Sequence, residues 1–139
     1  MDMMKSLSNK QKKIGLLLIV LLVMVIGISI ALSQLSSSEI ISVNAQEAMK
    51  LIETNPKLLI VDVRELSEFQ AGHIAGSVSI PLGVLDENLD KLKVNEPILL
   101  VCKTGFRSMR AANLLLDNEF KKIYNLTNGI SQWPGELQK

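Results

Sequence analysis

The chain has few of the residues that most often carry chemistry or cross-links. Its 139 residues include one cysteine, one histidine, one tryptophan and one tyrosine. A single cysteine, Cys102, excludes an intrachain disulfide, a CxxC motif and any Cys/His metal cluster. With His73 as the only histidine, a Ser-His or Cys-His dyad would depend on that one residue. Excess charge of one sign is lacking too: the net charge is +1, which gives no case for nucleic-acid binding. The length suffices for one compact domain and little more.

The charge asymmetry that exists lies at the N-terminus. Lys5, Lys10, Lys12 and Lys13 oppose only Asp2 before residue 39, whereas 39–139 carries 11 basic and 13 acidic residues. After these lysines, Ile14 to Leu32 is a 19-residue run without charge, and Ser29 is its only clearly polar residue. Such a run, as a helix, spans a hydrocarbon core of about 30 Å. The following Ser33-Gln34-Leu35-Ser36-Ser37-Ser38 has no lysine or arginine, so positive charge keeps the N-terminus cytoplasmic and sends the rest across the membrane. A cleaved signal peptide is the alternative, with Ala31 and Ser33 as small residues at the cut. The run exceeds the usual signal core of about 7–15 residues, which favours a single-pass anchor. A buried helix of a soluble fold would need a polar face, and this run has none. The expected organisation is a basic cytoplasmic segment 1–13, a transmembrane helix 14–32, a serine-rich linker 33–38 and an extracytoplasmic domain 39–139.

Within that domain, strand and helix signals alternate. Glu39–Val43 reads as a strand, and Asn44 with Glu47 three residues on forms a capping box for a helix ending near Asn55-Pro56. Leu58–Val63 is an apolar strand, Arg64–Phe69 a short helix, and Ser77–Ile80 another strand. Pro81 opens a helical or irregular stretch carrying Leu82, Leu85, Leu89 and Leu92. Ile98–Val101 is a strand, Met109, Ala112 and Leu116 mark a helix, and Lys122–Leu126 is a strand. A turn at Asn128-Gly129 leads to a short helix around Trp133. This order predicts an α/β domain with a largely parallel, open sheet flanked by helices, in which sites gather at the carboxyl ends of strands.

Cys102 is at such an end. In Cys102-Lys103-Thr104-Gly105-Phe106-Arg107-Ser108 it occupies a strand-to-helix turn, where main-chain N–H groups and the helix's positive end favour an anion. Lys103 and Arg107 add cations, and Gly105 lets the backbone curl without a Cβ. A lone cysteine is ordinarily a small buried hydrophobe. These surroundings instead lower a thiol's pKa and yield the nucleophilic thiolate.

Four stretches together resemble a rhodanese domain. They are Asp62-Val63-Arg64 with Glu68-Phe69; Gly72-His73-Ile74-Ala75-Gly76-Ser77 with Ile80-Pro81; the loop Cys102–Ser108 with Ala111-Ala112 behind it; and Gly129 with Trp133. The resemblance covers roughly residues 39–135. It implies a single-domain thiosulfate sulfurtransferase-like protein. There Cys102 takes a sulfane sulfur as a persulfide and passes it to a thiophilic acceptor. The backbone amides of 103–107 would hold the extra sulfur and the departing oxyanion, so Lys103, Thr104, Gly105, Phe106 and Arg107 would be substrate-binding residues. No metal and no cofactor beyond the transient persulfide is implied. Small-molecule donor and acceptor are the expected partners, with a protein acceptor compatible and the bilayer met through 14–32. One departure is Asn128, where the family often has the first of two glycines; asparagine also tolerates positive φ, so the turn should survive.

The remaining polar residues read as structural support. Asp62 and Arg64 stand at a strand end and are expected to pair locally with Glu65 or Glu68. His73 beside Gly72 reads as a turn-stabilising residue, Ser108 as support for the loop, and Trp133 as packing for the C-terminal segment. Two rival functions remain. A cysteine phosphatase or arsenate reductase would use a similar anion cradle, but those phosphatases place five residues between cysteine and arginine, and Arg107 follows Cys102 after four. A sulfur carrier or interaction module that holds a persulfide without turnover uses the same loop.

Overall fold

The computed structural model describes residues 2–33 and 38–139, with side chains at 11–30 and 38–139. Residues 34–37 of the serine-rich linker lie outside the described residues. The chain divides into two units, Met1–Ser36 and Ser37–Lys139.

The first unit is one helix, α1, Asp2–Ser33, longer at its N-terminus than the apolar run 14–32. Within it Gln11–Ile30 is long and apolar enough to cross a membrane, and none of that stretch is buried. Its leucines, isoleucines and valines stand exposed, as in Leu16, Leu22 and Val23. A helix apolar all round and covered by nothing has the composition of a membrane span or a signal sequence, not of a soluble core helix.

The second unit contains β1 (Glu39–Val43), α2 (Ala45–Thr54), β2 (Leu59–Asp62), α3 (Leu66–Ala71), β3 (His73–Ile74), β4 (Val78–Ser79), β5 (Ile98–Val101), α4 (Phe106–Asp117), β6 (Lys122–Leu126) and β7 (Leu137–Gln138). Five strands form one sheet in the order β1-β6-β5-β2-β4, every pairing parallel. β5 is therefore central, with Leu100 opposite Val61 on one side and Asn125 on the other. β3 and β7 pair antiparallel in a separate two-stranded ribbon.

Why β5 is uniformly apolar follows from the layers. Side chains alternate across a strand, and both faces of this sheet are covered. Ile98 and Leu100 pack with Val61, Ile123, Ala111, Ala112 and Leu115 beneath α4. Leu99 and Val101 pack with Ile60, Val43, Leu126 and Ala48 beneath α2. Burying each such side chain contributes about 1.5–3 kcal/mol. The same alternation carried one residue further puts Cys102 in the α4 cluster, under the first turn of that helix. Position 102 is thus set by strand parity.

The capping box forms as expected: Asn44 Oδ1 accepts from the Glu47 N–H at 3.0 Å, and Glu47 Oε2 from the Asn44 N–H at 2.8 Å. Several expected boundaries shift. The strand expected over Leu58–Val63 is Leu59–Asp62, and the one over Ser77–Ile80 is only Val78–Ser79. The short helix begins at Leu66, not Arg64, because Glu65 serves as its N-cap. The stretch after Pro81 folds as 3-10 turns at Leu82–Val84 and Asp86–Lys91, and the segment before Trp133 as a 3-10 turn, Gly129–Gln132.

Candidate active site at Cys102

The loop between β5 and α4 curls over the Cys102 sulfur. The Gly105 N–H donates to Sγ at 3.1 Å and the Ser108 hydroxyl lies 3.3 Å from it. Gly105 makes the curl possible, with φ 93° at the N-cap of α4. A Cβ there would stand 3.2 Å from the Asn128 nitrogen and 3.3 Å from the Leu126 oxygen. The Ser108 hydroxyl is also 3.1 Å from the Gly105 carbonyl, so its one proton has two acceptors. A thiolate is the stronger of them.

The loop's carbonyls are held from the other side. The Ile130 N–H donates to the Cys102 carbonyl at 2.8 Å, and the Ser131 N–H to the Lys103 carbonyl at 3.1 Å. Two of the loop's carbonyls are thus tied to the 130–131 turn, while the Gly105 N–H turns to the sulfur. Gly129, φ 59°, allows this approach, because a Cβ there would overlap the Cys102 oxygen and the Lys103 carbonyl group. Asn128 adopts φ 60° and ψ −2°, so the turn forms without the first glycine.

Two opposing influences act on the thiol. Burial pushes its pKa up, Cys102 being 1% exposed. Hydrogen bonds from the Ser108 hydroxyl and from the main-chain N–H groups of Ser108, Thr104 and Gly105 pull it down, and these prevail: the pKa lies below the ordinary thiol value. Cys102 is thus buried with its sulfur facing donors.

The cations behave differently from each other. Lys103 is exposed and makes no ion pair among the described residues. Arg107 is engaged: its Nη1 and Nη2 donate to Glu68 Oε2 and Oε1 at 2.7 and 2.9 Å. The Arg107 hydrogen bond holds the Glu68 carboxyl at about 2, against the upward push of burial, and the Glu65 N–H adds to the lowering. Glu68 is oriented by a second bond, from the Glu65 N–H to Oε2 at 3.2 Å.

This corrects the expected pairing of Arg64 with Glu65 or Glu68. Arg64 folds back on Asp62 instead, Nε to Oδ1 and Oδ2 at 2.9 and 3.0 Å and Nη2 to Oδ2 at 2.7 Å. Its Nη2 also donates to the Gly72 carbonyl at 2.7 Å, tying the end of β2 to the end of α3. With both side chains buried, the near partner leaves no unpaired charge. His73 lies flat on Phe69, ring centres 3.9 Å apart, and its Nδ1–H donates to the Phe69 carbonyl at 3.0 Å. Its ring is engaged at the α3–β3 junction. Trp133 packs against the cluster beneath α2.

Sequence reasoning missed Glu68 as the partner of Arg107, the donation of Ser108 to the sulfur, and the clasp by residues 130–131. The first is a contact across 39 positions, which no local spacing announces, and backbone donors leave no signature in residue type.

Residues 44–136 match the rhodanese-like domain family. The chain belongs to that family. The rhodanese-like domain from Staphylococcus aureus, solved as a crystal structure, superposes with a TM-score of 0.65 at 28% identity, covering 70% of this chain and 96% of that one. YrkF of Bacillus subtilis, provisionally named a sulfur carrier protein, is 32% identical over 103 residues, which are 74% of this chain. The match spans only 56% of YrkF's length. GlpE of Pseudoalteromonas translucida, named a thiosulfate sulfurtransferase, is 30% identical over 76 residues, 55% of this chain and 72% of that protein. The rhodanese-like fold thus accounts for the parallel sheet and for the loop placed at the carboxyl end of its central strand.

Proposed function

We propose that this protein is a sulfurtransferase that moves a sulfane sulfur from a donor such as thiosulfate to a thiophilic acceptor through a persulfide on Cys102. The observation that carries the reading is the donation of the Gly105 N–H and the Ser108 hydroxyl to Sγ, which keeps a buried sulfur ionisable. In the first half-reaction the Cys102 thiolate attacks the outer sulfur of thiosulfate. The S–S bond to the sulfonate breaks, and sulfite leaves with the electron pair. In the second, an acceptor such as cyanide attacks the outer sulfur of the persulfide and the pair returns to Cys102. No general base is needed where the thiol is already ionised.

The amides of residues 103–107 serve as fixed dipoles around the persulfide, and Lys103 contributes positive potential at the mouth. Arg107, neutralised by Glu68, braces the loop and contributes less field than an unpaired arginine would. Asp62, Arg64 and His73 act as structural support. That assignment and the four-residue spacing from Cys102 to Arg107 argue against phosphatase or arsenate reductase chemistry. Residues 14–32 are proposed as a single-pass anchor, with 1–13 cytoplasmic and the domain 39–139 extracytoplasmic.

A carrier is the second reading, favoured by the near-complete burial of Cys102 and by the provisional name of YrkF. Steady-state kinetics of the full chain in detergent micelles with thiosulfate and cyanide separate the two. Continuous thiocyanate production that vanishes in Cys102→Ser supports the enzyme. One rapid loading followed by negligible turnover supports the carrier.

A further inference from the structure

Beside the loop, on the flank where α4 meets β6, lies an open groove of about 290 Å³ lined by Thr104, Gly105, Phe106, Met109, Asn125 and Thr127, among others. Three observations mark this groove. Phe106, the first residue of α4, is 79% exposed. Asn125 is 3% exposed, and its Oδ1 is buried without a hydrogen-bond partner among the described residues. Gly105, whose N–H contacts the Cys102 sulfur, also forms part of the groove wall, so groove and sulfur stand one residue apart.

An orphaned buried amide oxygen costs stability and is retained where something else satisfies it. The strand parity that puts Cys102 beneath α4 puts Asn125 on the same face, since Ile123 packs there. An apolar residue at 125 would serve the core better. A carboxamide is the complement of one peptide unit, with an acceptor for its N–H and donors for its carbonyl. A standing aromatic beside a half-buried methionine offers an anchor for one apolar side chain. The groove is open and near the lower limit of small-ligand pockets, which suits a short extended chain better than an enclosed metabolite.

Resting on the persulfide reading, we infer that this groove receives an extended peptide segment of a cysteine-bearing protein acceptor. The Asn125 carboxamide turns outward to pair with its main chain, its apolar side chain lies on Phe106 and Met109, and its thiol reaches the Cys102 persulfide. The acceptor thiolate attacks the outer sulfur, the S–S bond to Cys102 breaks, the pair stays on Cys102, and the acceptor leaves as its own persulfide.

The test uses the full chain in micelles, loaded with thiosulfate and freed of excess donor. Single-turnover transfer is timed to three acceptors: cyanide, N-acetylcysteine amide, and the peptide acetyl-Leu-Ala-Gly-Cys-amide. The peptide is expected to react about tenfold faster than N-acetylcysteine amide, the gain of one well-made hydrogen bond with some apolar contact. Asn125→Leu and Met109→Ala should each erase most of that advantage and leave the cyanide rate as in the parent. An N-methyl group on the alanine nitrogen or on the glycine nitrogen of the peptide should erase it in at least one of the two. Equal rates for the two thiols in the parent chain, as a groove holding only water would give, overturn the proposal. So does an advantage that survives both substitutions. Failure of cyanide to discharge the parent chain would instead strike the persulfide reading itself.

Discussion

Glu68 and Arg107, 39 positions apart in sequence, meet in a two-point ion pair of 2.7 and 2.9 Å beside the Cys102 loop. The pair does two things. It fixes the first turn of α4 against α3, and it spends most of the charge of the one arginine in the loop. Arg107 also feels the Cys102 charge, which raises its own pKa after the larger effect of Glu68. Removing the carboxylate therefore leaves a freer cation near the sulfur. In Glu68→Gln, the thiolate of Cys102 should titrate at lower pH than in the parent, followed by the pH dependence of alkylation rate. An unchanged titration would mean that Arg107 does not act on the sulfur.

The same carboxyl sets an acid limit on stability. Glu68 ionises at about 2 in the folded chain against 4.5 ordinarily, so the folded state binds fewer protons between those values. The contribution is whole above pH 4.5 and is lost as pH falls towards 2. Both side chains are about a third exposed, which holds it to about 1 kcal/mol. Urea unfolding between pH 6 and pH 2.5 should show a steeper loss of stability in the parent than in Glu68→Gln.

Ser108 tests the sulfur's environment most cleanly. Its hydroxyl is fully buried and within reach of Sγ, and it leads the influences that lower the thiol's pKa. Ser108→Ala should raise that pKa, because the thiolate loses the side-chain hydrogen bond that does most to lower it. Loading by thiosulfate at pH 7 should slow and recover as pH is raised. A slower reaction with an unshifted pH profile would assign Ser108 to packing alone.

Gly129→Ala tests the clasp. The added methyl overlaps the Cys102 and Lys103 carbonyls at a φ of 59°, and displaced backbone with strain of this kind costs about 1–3 kcal/mol. The variant should unfold at lower urea, and the folded fraction should load sulfur more slowly because its amides no longer converge. Asn128→Gly, at a φ that glycine adopts freely, should do neither harm.

What the sequence made legible was whatever is local or periodic. β5 and β6 fall where they were expected, and Ile98–Val101 is four consecutive apolar residues, as a strand buried on both faces requires. The Asn44–Glu47 box is a three-residue relationship and was equally readable. β3 and β7 were not, because two-residue strands pairing His73 with Gln138 carry no pattern of their own. The choice of Asp62 over Glu68 by Arg64 is decided by side-chain reach in the folded chain. Cys102 was legible because its chemistry depends on one residue in one turn, whereas its donors depend on how that turn is held.

The most direct measurement is the intact mass of the full chain after thiosulfate treatment and again after cyanide. The account predicts a gain of one sulfur atom, lost on addition of cyanide and never acquired by Cys102→Ser. No gain in the parent chain under conditions where its thiol alkylates, or an equal gain in Cys102→Ser, would contradict it.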